Sequence, residues 1–375
     1  MLRDTFGLIY AGEQNINLRE LVYLRTVGAL PVAGRYRTID FILSNMVNSG
    51  IRNVGVIAQR SYHSLMDHLG SGKEWDLSRK NDGLFILPPF SSAENMGSYR
   101  GVVDAIKGVM SYILRTKQQY CVLSGSFTIY NRTFDDIVER HIDTGADITM
   151  LYNEEPQDAY KGERYNDVRL HVNVDGRVTD LETNASITDS TKVGMDTYVI
   201  RKDLLEYLVE DCASRGKYNF VSDLLMGNLN RLKIMAYEHK GYVGRLHSVA
   251  SYYKLNMDFL DTEVQKDLFY SGNQIYTKIK DEVPAKYARS SKVKNSLVAN
   301  GCVIEGEVEN SILFRGVYVG KGAKIKNCII MQNSEIYNNS NLEYVILDKS
   351  VNIRQGRRLI GDEGFPVIIR KGAIV

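Results

Sequence analysis

The segment Phe6-Gly-Leu-Ile-Tyr-Ala-Gly-Glu-Gln-Asn-Ile-Asn17 joins a short apolar run to a polar loop near the start of the chain. Its first six residues are typical of a buried strand that opens an α/β domain. Nucleotide-binding folds place a glycine-rich, basic loop after such a strand, because backbone amides and a cation must approach the phosphates closely. This loop instead contains Gly12, Glu13, Gln14, Asn15 and Asn17. Its position fits a phosphate loop, whereas its residue types oppose one.

Strand-like and helix-like segments alternate from residue 1 to about residue 265. Buried strands are predicted at Val54–Ala58 and Tyr120–Leu123, and an apolar stripe from Ile39 to Val47 predicts a helix between them. A second stripe, Val103 to Leu114, predicts another helix. Asp175-Gly176 lies between two alternating segments and predicts an antiparallel hairpin. The fold class is therefore α/β, with a mixed, mostly parallel sheet.

The pattern changes near residue 270, after which helical periodicity is lost. Val319 and Ile325 lie six residues apart, and Ile330, Ile336 and Leu342 are again spaced by six, with glycine and asparagine between them. An apolar period of six residues predicts a hexapeptide β-helix, and the alternative is a sandwich with frequent turns. We predict an α/β domain over 1–268, a linker over 269–290 and a β-helix over 291–375.

The composition is that of an ordinary globular protein and limits the classes of partner. The 375 residues carry a net charge of +2, with 25% charged and 44% hydrophobic residues, which favours neither nucleic acid nor a membrane surface. A signal-peptide pattern and a long apolar run are both absent from the sequence, so we expect a cytoplasmic protein. The four scattered cysteines and six histidines lack metal-ligand spacing, which favours reduced core thiols.

A longer run, Gly34-Arg-Tyr-Arg-Thr-Ile-Asp-Phe-Ile-Leu-Ser-Asn-Met-Val-Asn-Ser-Gly50, resembles a motif of the ADP-glucose pyrophosphorylases. These are the glucose-1-phosphate adenylyltransferases of bacterial glycogen and plant starch synthesis. The resemblance continues at Ala58-Gln59, Trp75–Leu77, Ile86–Pro89, Tyr99–Ala105, Tyr218–Leu225 and Tyr252–Asp258. It implies a Rossmann-like nucleotidyltransferase domain followed by a left-handed parallel β-helix.

The catalytic positions of that family are mostly replaced in this chain. In the family motifs, the second and third glycines of the phosphate loop correspond to Glu13 and Asn15, and its arginine to Asn17. The resemblance places the phosphate-binding lysine at Val27, one metal-binding aspartate at Ser126 and the sugar-phosphate motif at Glu182-Thr183-Asn184. It places a later acidic residue at Arg245. A second metal-binding aspartate is retained as Asp223.

These replacements predict a catalytically impaired site. Nucleotidyl transfer depends on Mg²⁺, lysine and arginine to neutralise anionic oxygens, and removal of one stabilising group typically costs about 10²–10³ in rate. The pattern resembles the GlgD-type subunits of the family. That resemblance implies a tetramer in which a catalytic paralogue binds Mg²⁺ and is activated by this chain, which itself has no cofactor.

Some nucleotide-binding positions are retained. Gly12, Gln59, Gly101 and Asp104 match the family's contacts to the base and ribose, and the alternative is that they form turns and a helix start. Cations near the C-terminus could bind a phosphorylated effector or form a solvated face: Arg354, Arg357, Arg358, Arg370 and Lys371.

Two other functions compete with a regulatory subunit. One is an active sugar-phosphate nucleotidyltransferase with a divergent active site. The other is a hexapeptide acyltransferase, which generally needs a histidine base. Because the sequence has no histidine after His247, the repeat region lacks that base and the acyltransferase is disfavoured.

Overall fold

A computed structural model describes residues 2–12, 16–89, 99–156, 167–185 and 188–375. Glu13 and Asn15 of the predicted phosphate loop lie outside the described residues. The strands of the N-terminal domain are β1 (Thr5–Tyr10), β2 (Pro31–Val32), β3 (Tyr36–Arg37), β4 (Asn53–Ile57), β5 (Gly83–Leu87), β6 (Tyr120–Gly125), β7 (Thr128–Ile129), β8 (Ile148–Glu154), β9 (Val168–Val172), β10 (Val178–Thr183), β11 (Lys192–Arg201), β12 (Ile234–Glu238) and β13 (Gly244–Arg245). The α-helices are α1 (Thr38–Asn48), α2 (His63–Leu69), α3 (Val102–Gly108), α4 (Met110–Arg115), α5 (Asp135–Asp143), α6 (Lys202–Ser214), α7 (Val249–Asp258) and α8 (Thr262–Phe269). Shorter helical turns cover Ile16–Val22, Val27–Ala29, Lys73–Trp75, Phe220–Leu225 and Met226–Asn228.

One mixed sheet forms the centre of this domain. Its strands follow the order β10-β9-β11-β6-β1-β4-β5, and β8 pairs with both β11 and β12. Strand β1 runs parallel to β4 and β6, whereas β11 runs antiparallel to β6 and β8. Every residue of β1 is buried, as its apolar sequence predicts. The predicted α/β fold with a mixed sheet is confirmed.

The helical and hairpin predictions also agree with the structure, with one difference. Helix α1 covers the first apolar stripe, and Asp175-Gly176 connects the antiparallel strands β9 and β10. The second stripe divides into α3 and α4 at Gly108. A Cβ atom added to Gly108 would lie 2.6 Å from the Tyr99 ring. This position therefore takes a glycine, which weakens the helix at the break.

The C-terminal region is a parallel β-helix of three sheets, as predicted from the repeat. The strands are β14 (Lys286–Tyr287), β15 (Lys292–Lys294), β16 (Leu297–Val298), β17 (Val303–Ile304), β18 (Glu307–Glu309), β19 (Ile312–Leu313), β20 (Tyr318–Val319), β21 (Lys324–Lys326), β22 (Ile329–Ile330), β23 (Glu335–Ile336), β24 (Asn341–Glu343), β25 (Val345–Leu347), β26 (Asn352–Ile353), β27 (Arg358–Ile360) and β28 (Val367–Ile369). Strand β14 lies inside the segment predicted as a linker.

The repeat of the β-helix is 17 residues in its central coils. Val319 pairs with Ile336 and Ile325 pairs with Leu342, so the steps between faces are not all six residues long. The step from Ile325 to Ile330 is five residues, which shortens one corner of each coil. The last coil is longer: Ile346 pairs with Ile368, because residues 361–366 form an extra loop.

One of the three sheets consists of β16, β19, β22, β25 and β28. It packs against the N-terminal domain along a surface that we call the seam. Strands β19, β22 and β25 place Ile312, Ile329 and Ile346 in one cluster with Phe41 and Phe259. These strands lack the usual alternation of polar and apolar residues, because both sides of the sheet are buried. By contrast, β15, β18 and β21 alternate charged and apolar residues. A buried ion pair also crosses the seam: Arg25 Nη2 lies 2.7 Å from Asp348 Oδ1. Among the described residues, no helix has the length and apolarity needed to cross a membrane.

Candidate nucleotidyltransferase site

A cavity of about 250 Å³ lies at the edge of the sheet where β1, β10 and β11 meet the turn Phe220–Leu225. Tyr10, Asp167 and Asp196 line it, together with Thr183 and Asn184 from the predicted sugar-phosphate motif. The described lining residues include carboxylates, amides, hydroxyls and aromatic rings, but no lysine or arginine. Such a lining can hydrogen-bond a polar ligand, whereas it supplies no cation to neutralise a phosphate.

Arg245 is buried beside this cavity and forms an ion pair with Glu155. Strand β13 places it there by pairing antiparallel to β7. Its guanidinium also donates to the side chain of Asn153 and, at 3.3 Å, to the carbonyl of Gly194, which lines the cavity. Burial lowers the pKa of Arg245 to about 9, which leaves it charged at neutral pH. The position of the family's acidic residue therefore holds a buried cation.

A second ion pair lies close to the first. Arg169 contacts Asp167 at 3.4 Å, and His247 Nε2 lies 3.6 Å from the same carboxylate. Burial and, to a smaller extent, the charge of Arg245 together lower the pKa of His247 to about 3. His247 is therefore neutral at physiological pH. One member of this second pair, Asp167, lines the cavity itself.

The positions of the lost lysine and aspartate are both buried. Val27 is 1% exposed and packs with Leu18 and Leu21 in the cluster that extends to the seam. Ser126 follows β6 and is fully buried; its Oγ would lie 3.2 Å from a Cβ added to Gly28. Asn17 is half-buried in the turn Ile16–Val22. A lysine at Val27 would enter the core, so the replacement at this position is built into the packing.

Asp223, the retained acidic residue, has a structural role in its own turn. Its Oδ2 accepts backbone N–H groups from Tyr218 at 2.9 Å and Asn219 at 2.8 Å. These bonds fix the start of the turn Phe220–Leu225. The first residues of this turn line the cavity. The carboxylate thus orients the cavity wall.

Two of the retained nucleotide-pocket residues, Gly12 and Gln59, pack around Tyr10. The Tyr10 hydroxyl donates to Gln59 Oε1 at 3.3 Å, and Gln59 Nε2 donates to the carbonyl of Tyr99 at 3.1 Å. A Cβ at Gly12 would lie 2.9 Å from the Tyr10 ring, so the glycine permits this close packing. The amide of Gln59 is therefore hydrogen-bonded at both ends within the protein.

Gly101 and Asp104 form the start of α3. A Cβ at Gly101 would lie 2.3 Å from the carbonyl oxygen of Tyr218, which requires glycine there. Asp104 accepts hydrogen bonds from the backbone and the guanidinium of Arg100. Burial raises the pKa of Asp104, but the bonds from Arg100 lower it by more, so the net shift is downward. These contacts agree with the helix-start interpretation.

Asp196 is a site residue that sequence reasoning missed. It lies at an irregularity in β11 with φ of +50°, a conformation uncommon for any residue but glycine and asparagine. Burial raises its pKa to about 7, although a hydrogen bond from Tyr198 opposes that shift. Nothing in the local sequence marks it. Glu155 was also missed, although it directly follows the buried strand β8.

These contacts do not fit the magnesium site of the resembling family. At the two positions that the resemblance assigns to metal binding, Ser126 offers a neutral hydroxyl, and the Asp223 carboxylate already accepts two backbone N–H groups. In the described part of the chain, no group of three or more His, Cys, Asp or Glu side chains is arranged to hold a metal ion. No step of a metal-dependent reaction can therefore be assigned to these residues.

Comparison with known proteins then identifies the family. The nucleotidyl transferase family model matches residues 7–262, and the model for the GlmU-like C-terminal hexapeptide region matches residues 282–364. The glycogen biosynthesis protein GlgD of Bacillus subtilis is 40% identical over 98% of this chain and 96% of its own length. This chain belongs to the glucose-1-phosphate adenylyltransferase family.

Two further relatives show how the chain is placed within that family. GlgD of Geobacillus stearothermophilus is 39% identical over 87% of this chain and 84% of its own length. The glucose-1-phosphate adenylyltransferase of Clostridium perfringens is 33% identical over 89% of this chain and 85% of its own length. The chain is thus a member of a nucleotidyltransferase family of glycogen biosynthesis, with its greater similarity to GlgD proteins.

Proposed function

We propose that the chain is a regulatory, catalytically impaired subunit of glucose-1-phosphate adenylyltransferase. That enzyme forms ADP-glucose and pyrophosphate from ATP and glucose 1-phosphate. In this proposal the chain assembles in the cytoplasm with a catalytic paralogue, as a hetero-tetramer, and activates it. Mg²⁺ belongs to the catalytic partner.

The buried ion pair between Arg245 and Glu155 is the observation that carries the proposal. A buried, paired guanidinium at the position of the family's acidic residue removes a carboxylate from the site and places there a cation that repels Mg²⁺. Relative to the family, Val27 replaces a phosphate-binding lysine and Ser126 replaces a metal-binding aspartate. Both residues are buried. The intact fold around these replacements favours a role in assembly over catalysis.

The deciding experiment measures ADP-glucose formation by three preparations: this chain, the presumed catalytic paralogue, and the two co-expressed and co-purified. We expect no turnover above background for this chain alone and a higher kcat or lower KM for the complex than for the paralogue. Turnover by this chain alone would favour the alternative, an active transferase with a divergent site. Failure to co-purify, or unchanged kinetics, would contradict the regulatory proposal.

A variant in this chain locates the turnover within the complex. Asp196→Asn keeps a residue that tolerates positive φ and removes a carboxylate from the cavity. If the partner performs all turnover, the complex with this variant keeps its activity within about twofold, since no transition-state contact is lost. A loss of about 10²-fold or more would place catalysis in this chain.

A phosphorylated effector remains a further proposal for the basic end of the β-helix. The five C-terminal cations named above are exposed on the last coil. Replacement of Arg357 and Arg358 by glutamine would then weaken the response of the complex to the effector without changing its activity in the absence of effector. An unchanged response would leave the solvated-face interpretation.

A further inference from the structure

A polar groove of about 810 Å³ lies between helix α7 and one corner of the β-helix, away from the cavity described above. We call it the corner groove. One wall comes from α7 and the residues that follow it, including Lys254, Asp258 and Asp261. The other wall comes from the corner that precedes strands β16, β19, β22 and β25.

The corner presents the same kind of side chain on successive coils. Asn295, Asn310 and Asn327 occupy equivalent positions, all with φ between +44° and +52°, and all line the groove. Successive coils lie about 4.8 Å apart, so the amides form a regularly spaced row. Asn295 Nδ2 donates to Asn310 Oδ1 at 2.8 Å, which aligns the first two amides. A regular row of groups that both donate and accept suits a ligand whose own polar groups repeat.

The fourth coil breaks the row with an aromatic residue. Tyr344 has φ of +51°, a conformation that asparagine tolerates and that strains the backbone of a tyrosine. Its ring centroid lies 6.2 Å from that of Tyr253, whose hydroxyl donates to the carbonyl of Asn327 at 2.9 Å. The groove therefore ends on an apolar surface beside the amides.

The charges of the groove select the ligand class. Its described lining contains one cation, Lys254, and three carboxylates, Asp258, Asp261 and Glu363, for a net charge of −2. This charge opposes phosphorylated ligands, including nucleotides and sugar phosphates. Carboxylates accept hydrogen bonds, amides donate and accept them, and a ring offers apolar contact. Hydroxyl groups on a carbon framework satisfy all three requirements.

We propose that the corner groove binds a neutral oligosaccharide, whose successive residues lie along the asparagine row with one end against Tyr344. The choice of an α-glucan as the first probe rests on the proposed function, because relatives act in glycogen biosynthesis. The groove and its chemistry are independent of that function.

The experiment titrates maltohexaose into the full chain and measures heat or amide chemical shifts. Asn310→Gly combined with Asn327→Gly removes two amides while keeping a backbone that accepts positive φ. Tyr344→Asn removes the ring and relieves its backbone strain, so both variants should fold. The matched control is Asn339→Gly, an asparagine with φ of +57° that does not line the groove. Fluorescence of Trp75, the single tryptophan, confirms folding of the N-terminal domain in each variant.

We expect wild type to bind maltohexaose with a Kd of about 1 mM or tighter, and both groove variants to raise that Kd at least about tenfold. Asn339→Gly should stay within about twofold of wild type. The proposal is overturned if no binding is detected at about 10 mM sugar, or if Asn339→Gly weakens binding as much as the groove variants. It is also overturned if hexalysine binds in the groove and maltohexaose does not, which would make the groove a site for basic peptides.

The same variants separate this proposal from the regulatory function. Each is also assembled with the catalytic paralogue and assayed for activation. Sugar binding without activation contradicts only the proposed function, whereas activation without sugar binding contradicts only the groove.

Discussion

The candidate site and the seam each bury an arginine against a carboxylate, and the two pairs have different consequences. Arg25 and Asp348 are 3% and 4% exposed in their side chains and join the two domains. Arg245 and Glu155 lie within one domain, beside a cavity where the family places an acidic residue. The seam pair fixes how the domains sit together. The cavity pair holds a buried cation, Arg245, at the position of the family's acidic residue.

The comparison shows where this sequence has kept and where it has lost the features of its family. The run from Gly34 to Gly50 matches the family motif, and its Phe41 packs in the seam. Val27, at the position of the family's phosphate-binding lysine, departs from the family pattern and is buried in the same cluster. A segment at the seam thus keeps the family pattern, whereas a position that the family uses for phosphate binding does not.

The largest expected effect follows from breaking the seam pair. Arg25→Met leaves Asp348 buried without its partner and should lower the free energy of unfolding by about 3–5 kcal/mol. Urea denaturation followed by Trp75 fluorescence and by circular dichroism measures it. Arg25→Met combined with Asp348→Asn should recover a large part of the loss. A single-variant loss below about 1 kcal/mol would show that the seam depends on apolar packing instead.

Breaking the cavity pair should have a somewhat smaller effect. Arg245→Met leaves Glu155, whose side chain is 10% exposed, beside an apolar group, and we expect a loss of about 3 kcal/mol. Trp75 fluorescence during denaturation reports this domain directly. The paired variant with Glu155→Gln removes the unpaired charge and should restore at least half of the loss. Equal stability of the two variants would contradict a coupled pair.

Replacing Asp196 should stabilise the protein in a pH-dependent way. Its pKa is about 7 in the folded chain, above the ordinary value near 4, so ionisation in the folded state costs stability as pH rises from about 4 to 7. Asp196→Asn avoids that cost and should add about 2 kcal/mol at pH 8, since the cavity retains some solvent. The gain should shrink towards pH 4. Denaturation at both pH values tests it, and a gain independent of pH would contradict the assigned cause.

The smallest expected effect is at an exposed ion pair of the β-helix. Lys292 Nζ lies 2.9 Å from Glu307 Oε1, and both side chains are largely exposed. Lys292→Ala should therefore change stability by less than about 1 kcal/mol, and less again in high salt. A change as large as that of Arg25→Met would remove the distinction between buried and exposed pairs. Thermal unfolding of wild type and Lys292→Ala at two salt concentrations measures this difference in stability.

Local patterns predicted most of the fold. Strand β1, helix α1 and the hairpin at Asp175-Gly176 follow from apolar periodicity and turn residues alone, because each shows its own local sequence pattern. The β-helix followed from its repeat, although the five-residue step was not recognised. The break at Gly108 could not be foreseen, since it depends on the Tyr99 ring, nine residues earlier.

The site was predicted only where a residue could be matched to a family motif. Val27, Ser126 and Arg245 were singled out by their match to family motifs, and the structure places all three in buried surroundings. Two residues were not foreseen: Glu155, which pairs with Arg245, and Asp196, which lines the cavity. Sheet pairing between segments far apart in the chain brings them to the site. Electrostatic partners of this kind depend on tertiary register, which a single sequence does not display.

The row of Ile312, Ile329 and Ile346 along the seam has an evolutionary consequence. A free solenoid can gain or lose a whole coil with little penalty, because each coil contacts only its neighbours. Here a deletion of 17 residues would shift every following coil by about 4.8 Å relative to the N-terminal domain and move Asp348 away from Arg25. An insertion within one coil avoids that shift: despite the extra loop at residues 361–366, Ile346 still pairs with Ile368. The length of this β-helix is set by the domain beside it.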